Sequence, residues 1–162
     1  MRWWRKRFWP EESVASTLSV GGRTFATRSE TKIVGLESAP GDDMNARTET
    51  IVSVSTDFGP CPPLRVAARA TEDWRRITHD ENAGAVALGV PAFDDRFLVF
   101  CDDLAFVRYL TPALTAAPCE STGGLELGGG RITVHRKGVG HDVTAANYLN
   151  ALIPLLPPEL RR

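Results

Sequence analysis

The chain has 162 residues, 43% of them hydrophobic and 24% charged, with a net charge of −1. This length suits one domain that buries roughly 70% of the surface its unfolded form exposes. The near-neutral balance argues against a general nucleic-acid binder or a disordered acidic chain.

The charge is unevenly placed. Residues 1–9 hold four of the nineteen basic side chains and no acid, so the remainder carries fifteen basic and twenty acidic groups: a +4 leader on a body of −5. Arg2, Arg5, Lys6 and Arg7 are interleaved with Trp3, Trp4, Phe8 and Trp9, and Pro10 closes the block. Indole rings favour the headgroup region of a bilayer, and each basic residue near an anionic surface adds about 1 kcal/mol. The same residue types dominate protein interface hot spots. The sequence therefore leaves three roles open for residues 1–9: a contact for an anionic membrane surface, a contact for a protein groove, or packing against their own domain. The division expected is a basic aromatic segment over 1–10 and one domain over 11–162.

Residues 10–24 include Glu11, Glu12 and two glycines in place of an apolar run, so no export signal is expected. The apolar stretches near 97–110 and 145–156 are interrupted by charged and amide side chains and Pro154, and neither approaches the ~20 apolar residues of a membrane span. Cys61, Cys101 and Cys119 are odd in number and far apart, which reads as reduced thiols in a cytoplasmic protein that meets a membrane only peripherally, if at all.

Residues 11–70 read as strands. Arg23 to Leu36 is rich in Thr, Phe, Ile and Val, Pro40-Gly41-Asp42-Asp43 supplies a turn, and Thr48 to Thr56 resumes the pattern, which predicts a hairpin. In its second strand Val52 and Val54 share one face, and Ile51, Ser53 and Ser55 the other. After the rigid Gly59–Pro63 connection, Leu64, Val66, Ala68 and Ala70 alternate with Arg65, Ala67 and Arg69 in a third strand. Thr71-Glu72-Asp73 starts a short helix to Thr78. Ala85 to Val90 is another strand, and the apolar Phe97–Cys101 run reads as one buried on both faces at the centre of the sheet. Asp102 or Asp103 caps a helix whose Leu104, Val107, Tyr109 and Leu110 face inward, bent or restarted at Thr111-Pro112 and ended by Pro118. Leu125 and Leu127, then Ile132 and Val134, flank Gly128-Gly129-Gly130 in a second hairpin. Last comes a helix with Leu149, Leu152, Ile153 and Leu156 on one stripe, broken at Pro154. The fold class expected is α+β: an antiparallel or mixed sheet with two or three helices packed on it.

One stretch resembles a known pattern. Phe93-Asp94-Asp95-Arg96-Phe97, then Leu110-Thr111-Pro112-Ala113-Leu114, then the Leu125 to Val134 hairpin are similar to a family of bacterial α+β proteins with an FDxxF strand, an LTPxL helix and a Gly-Arg hairpin. The resemblance covers about residues 93–136 and implies the fold elements alone. Some members begin with a membrane-proximal segment.

No cofactor or metal motif stands out. His79, His135 and His141 lack zinc-ligand spacing, and Gly128–Gly130 lacks the Lys-Ser/Thr of a phosphate loop. Ser13, Ser16 and Ser19 form no nucleophile elbow. Asp94, Asp95, Asp102 and Asp103 bracket the buried strand, where the simpler role is capping and solubility. The functional expectation is a non-enzymatic binding module with residues 1–9 as its contact site. The competing expectation is a small-ligand or hydrolytic site that gathers the 79–81 loop and those four carboxylates.

Overall fold

A computed structural model describes residues 12–34, 47–69, 84–117, 123–138, 140 and 142–161. Eight strands form one sheet: β1 (Glu12–Val20), β2 (Arg23–Val34), β3 (Arg47–Asp57), β4 (Leu64–Ala68), β5 (Ala85–Val86), β6 (Phe97–Phe100), β7 (Gly123–Gly128) and β8 (Arg131–Lys137). Their order is β1-β2-β3-β8-β7-β4-β6-β5, and every neighbouring pair is antiparallel. Among the described residues three α-helices accompany it: α1 (Pro91–Asp94), α2 (Leu104–Ala116) and α3 (Asp142–Leu152). The class is α+β, and the sheet dominates it.

The two-residue period of the strands decides which side is core. Phe25, Val52, Val54, Ile132, Val134, Leu125, Leu127, Leu64, Val66, Phe97 and Val99 are all buried and belong to one cluster with Val107, Leu110 and Leu114 of α2 and Leu149 of α3. The helices therefore cover one face of the sheet. Alternate residues, including Arg28, Ser53, Glu126 and His135, fall on the opposite face.

Local chemistry sets the boundaries. Asp103 caps α2, its carboxylate accepting from the Phe106 amide at 2.9 Å. Asp94 closes the loop before β6 by accepting from the amides of Leu88, Gly89 and Val90 at 2.8, 3.0 and 3.1 Å. The predicted C-terminal stripe is present. Leu149, Leu152, Ile153 and Leu156 are at most 1% exposed, and the α-helix gives way to a 3-10 turn at Ile153–Leu155, where Pro154 has no amide to continue the ladder. The Tyr148 hydroxyl donates to the Ala117 carbonyl at 3.0 Å and ties α3 to the end of α2.

Four expectations need correction. The Phe97–Phe100 strand is buried as predicted but lies second from the sheet edge, with only two-residue β5 outside it. Leu104 and Tyr109 point outward, at 52% and 51% exposure, and the inward positions of α2 are Phe106, Val107, Leu110, Ala113 and Leu114. Thr111-Pro112 does not restart that helix, which runs unbroken from Leu104 to Ala116. The strand expected over 85–90 is two residues long. The turn at 40–43, the helix over 72–78 and residues 1–9 lie outside the described residues. No helix among the described residues is long and apolar enough to cross a membrane.

Candidate functional site

Three strands bring together a serine, a histidine and a glutamate on the side of the sheet away from α2 and α3. β3 and β8 pair so that Ser53 stands directly opposite His135. β8 and β7 are joined by the tight Gly129-Gly130 turn, whose φ values of 60° and 74° suit glycine, and the register it sets puts Gly124 opposite His135 and Glu126 opposite Thr133. Glu126 is therefore the diagonal neighbour of His135 on the same face.

The side chains meet in a line. Ser53 Oγ lies 2.8 Å from His135 Nδ1, and His135 Nε2 lies 3.3 Å from Glu126 Oε2. The ionised carboxylate can only accept, so Nε2 carries the proton. In the neutral ring Nδ1 then accepts from the Ser53 hydroxyl. The hydrogen bond from His135 is the chief reason the Glu126 carboxyl is held below its ordinary range; burial opposes this, and the charges of His135 and Arg65 add to it.

Small residues hollow out the surface around this line. Ala15, Ala26, Ala67 and Gly124 line an open concavity of about 700 Å3 that also takes in Ser53 and His135, with Arg28, Glu30, Arg65, Glu126 and Lys137 supplying charge of both signs. Arg28 is bound to Glu30 at 3.0 Å and to Ser13 at 3.0 Å, and Arg65 packs over the Phe100 ring at 5.1 Å. A β-carbon on Gly123 would collide with the His135 carbonyl, and one on Gly124 would stand 2.9 Å from the Val66 carbonyl. The two glycines let β7 run close to its neighbours.

The arrangement has the polarity of a nucleophile, base and orienting acid, but its own main-chain amides are not free to meet developing negative charge. Ser53, His135 and Glu126 are each flanked by a paired strand on both sides, so the main-chain amides beneath them are committed to the ladders. A donor to an oxyanion would have to be a side chain. The geometry is suited to holding and orienting a polar group.

Of the residues singled out from sequence, His135 alone enters this cluster. Asp94 is spent on three loop amides and Asp103 on the cap of α2, while Asp102 lines an adjoining concavity with Arg65 and Glu126. No group of three or more metal-ligating side chains occurs among the described residues. His79, Asp80, Glu81, His141 and Cys119 lie outside those residues, as do Arg2, Trp3, Trp4, Arg5, Lys6, Arg7, Phe8 and Trp9. Cys61 and Cys101 carry free thiols; burial, and then the neighbouring Cys101, raise the Cys61 pKa and disfavour its thiolate.

Sequence reasoning missed Ser53 and Glu126. The Glu126–His135 pairing was legible in principle, because a two-residue turn at Gly129-Gly130 already fixes that diagonal. Ser53 is 82 residues from His135, and no local pattern points from one to the other. No known protein family, curated protein or solved structure matches this chain.

Proposed function

We propose that this protein is a non-enzymatic binding module, a single α+β domain over 11–162 that seats a small polar ligand on the face of its sheet away from α2 and α3. The observation that carries this reading is the Ser53–His135–Glu126 line, set in an open concavity on strands whose amides at these three positions are already paired. It offers a hydroxyl, an imidazole and a carboxylate in a fixed order. Turnover at Ser53 would need an oxyanion donor from a side chain, because the ladders occupy the main-chain amides beneath it.

The test is a thermal-shift screen of the full chain against small carboxylates, phosphates and sugars, run in parallel with His135→Ala. A class that raises the melting temperature of the wild type and not of the variant supports the reading. No stabilising class, or equal stabilisation of both proteins, overturns it. A p-nitrophenyl ester assay guards the other flank: hydrolysis that disappears in Ser53→Ala would replace the binding module by a hydrolase.

A second contact is proposed for residues 1–9, on the strength of the +4 leader and −5 body. In this reading Trp3, Trp4, Phe8 and Trp9 dock on a protein groove or an anionic bilayer, and Arg2, Arg5, Lys6 and Arg7 steer the approach, placing a cytoplasmic protein peripherally at a membrane in the bilayer case. Vesicle flotation and pull-downs with and without residues 1–9 test it. Binding unchanged by the deletion removes it.

A further inference from the structure

Strand β1 ends the sheet with nine residues, and from Ser13 to Val20 it contains neither a charge nor a proline. Those are the devices that keep an exposed edge from pairing. Ser13 to Thr17 are all exposed, and Val14 is 63% exposed, the highest value among the large hydrophobic side chains of the described residues. The opposite edge, β5, has only two residues.

The β1–β2 hairpin reveals which main-chain groups face outward. Gly21 and Gly22, at φ 58° and 76°, make a two-residue turn between the paired Val20 and Arg23. In such a turn the flanking residues exchange both hydrogen bonds, and the pattern then alternates along the strand. Val20, Leu18, Ser16 and Val14 thus bond to β2. Ser13, Ala15, Thr17 and Ser19 present their amides and carbonyls to the open edge.

We propose that β1 pairs antiparallel with β1 of a second copy of this chain, about a two-fold axis through Ser16. Outward residues must meet outward residues, which restricts the axis to a residue position and excludes a midpoint between two residues. Centred on Ser16, Ser13 meets Ser19 and Ala15 meets Thr17, so four pairs exchange two bonds each, eight in all. Moving the axis to Ala15 or Thr17 leaves three such pairs within β1. The same register sets Val14 directly against Leu18 of the second copy, in the closer, non-bonded type of pair, which covers the exposed valine. No like charges oppose one another between Ser13 and Val20. The axis stands perpendicular to the sheet, so the helices of both copies lie on one side and the two Ser53–His135–Glu126 sites open on the other, along one continuous sheet.

Sedimentation of the full chain over a wide concentration range, as wild type, Ser16→Lys and Ser16→Glu, tests the pairing. The wild type should dimerise. Either charged variant alone should raise the dimer dissociation constant roughly fivefold, because identical charges then face each other across the axis. An equimolar mixture of the two should recover a heterodimer. Ser16→Thr, a substitution that suits a strand, should leave the dimer intact. A wild type that stays monomeric throughout, charged variants that dimerise as well as the wild type, a mixture that shows no recovery, or loss of the dimer in Ser16→Thr would each overturn the proposal.

Discussion

Replacing His135 with alanine removes two contacts of different worth. The bond from the Ser53 hydroxyl is 2.8 Å long and partly buried, and a bond of that kind contributes about 1 kcal/mol. The contact with Glu126 is worth less than a buried ion pair, because the two side chains stay 34% and 49% exposed and solvent screens them; about 0.5 kcal/mol is appropriate. The variant should therefore lose about 1.5 kcal/mol at pH 7 and melt about 4 °C lower. The Glu126 part depends on pH with a definite sign. His135 holds this carboxyl below its ordinary value, so the stability it contributes is fully present above the unfolded value, about 4.3, and is lost as pH falls through the lower folded value. The gap between wild type and His135→Ala should narrow between pH 5 and pH 3, as read by urea denaturation. In the variant the Glu126 carboxyl should titrate at a higher pH, as read by carbon-detected NMR. An unchanged Glu126 titration would refute the coupling, and a variant as stable as the wild type at pH 7 would refute the whole line of contacts.

Asp94→Ala leaves the amides of Leu88, Gly89 and Val90 without their acceptor, so it should cost about 2 kcal/mol and speed hydrogen exchange at those three amides. Asp95→Ala, at an exposed position, should change stability by less than about 0.5 kcal/mol. Leu149→Ala empties a fully buried site between α3 and the sheet and should cost about 3 kcal/mol in chemical denaturation, whereas Leu155→Ala, half exposed, should cost less than about 1 kcal/mol. Gly123→Ala drives a methyl group into the His135 carbonyl and should cost about 1–3 kcal/mol while shifting the His135 ring signals in NMR spectra; Gly84→Ala, with nothing within 4 Å, should do neither.

The parts of the fold that follow from local periodicity were readable in the chain. Val52 and Val54 are buried while Ile51, Ser53 and Ser55 are only partly so, as their alternation predicts, and the Gly128–Gly130 turn and the C-terminal stripe, with its helix broken at Pro154, stand where their residue types place them. β1 gave a weaker signal, because its alternation sets hydroxyl residues against only Val14, Leu18 and Val20. Phe97–Phe100 was placed too centrally for an instructive reason: a continuous apolar run reports burial on both faces, which here is met one strand in from the edge. Tyr109 faces outward, where its hydroxyl donates to Glu159 at 2.7 Å, a partner 50 residues away that no local pattern signals. The site itself depends on β3 pairing with β8 across the chain, and that pairing is set by the shared core of Val52, Val54, Ile132 and Val134, whose helix-side packing decides what the other face displays.

The central claim is that the sheet face around Ser53, His135 and Glu126, away from α2 and α3, seats a ligand. Amide chemical-shift mapping, with the stabilising small-molecule class from the thermal screen as the probe, tests it most directly. The account predicts that the shifted signals gather on Ser53, Gly124, Glu126 and His135 and vanish from that cluster in His135→Ala. Shifts confined to α2, α3 or the C-terminal turns, with the His135 cluster unmoved, would contradict it.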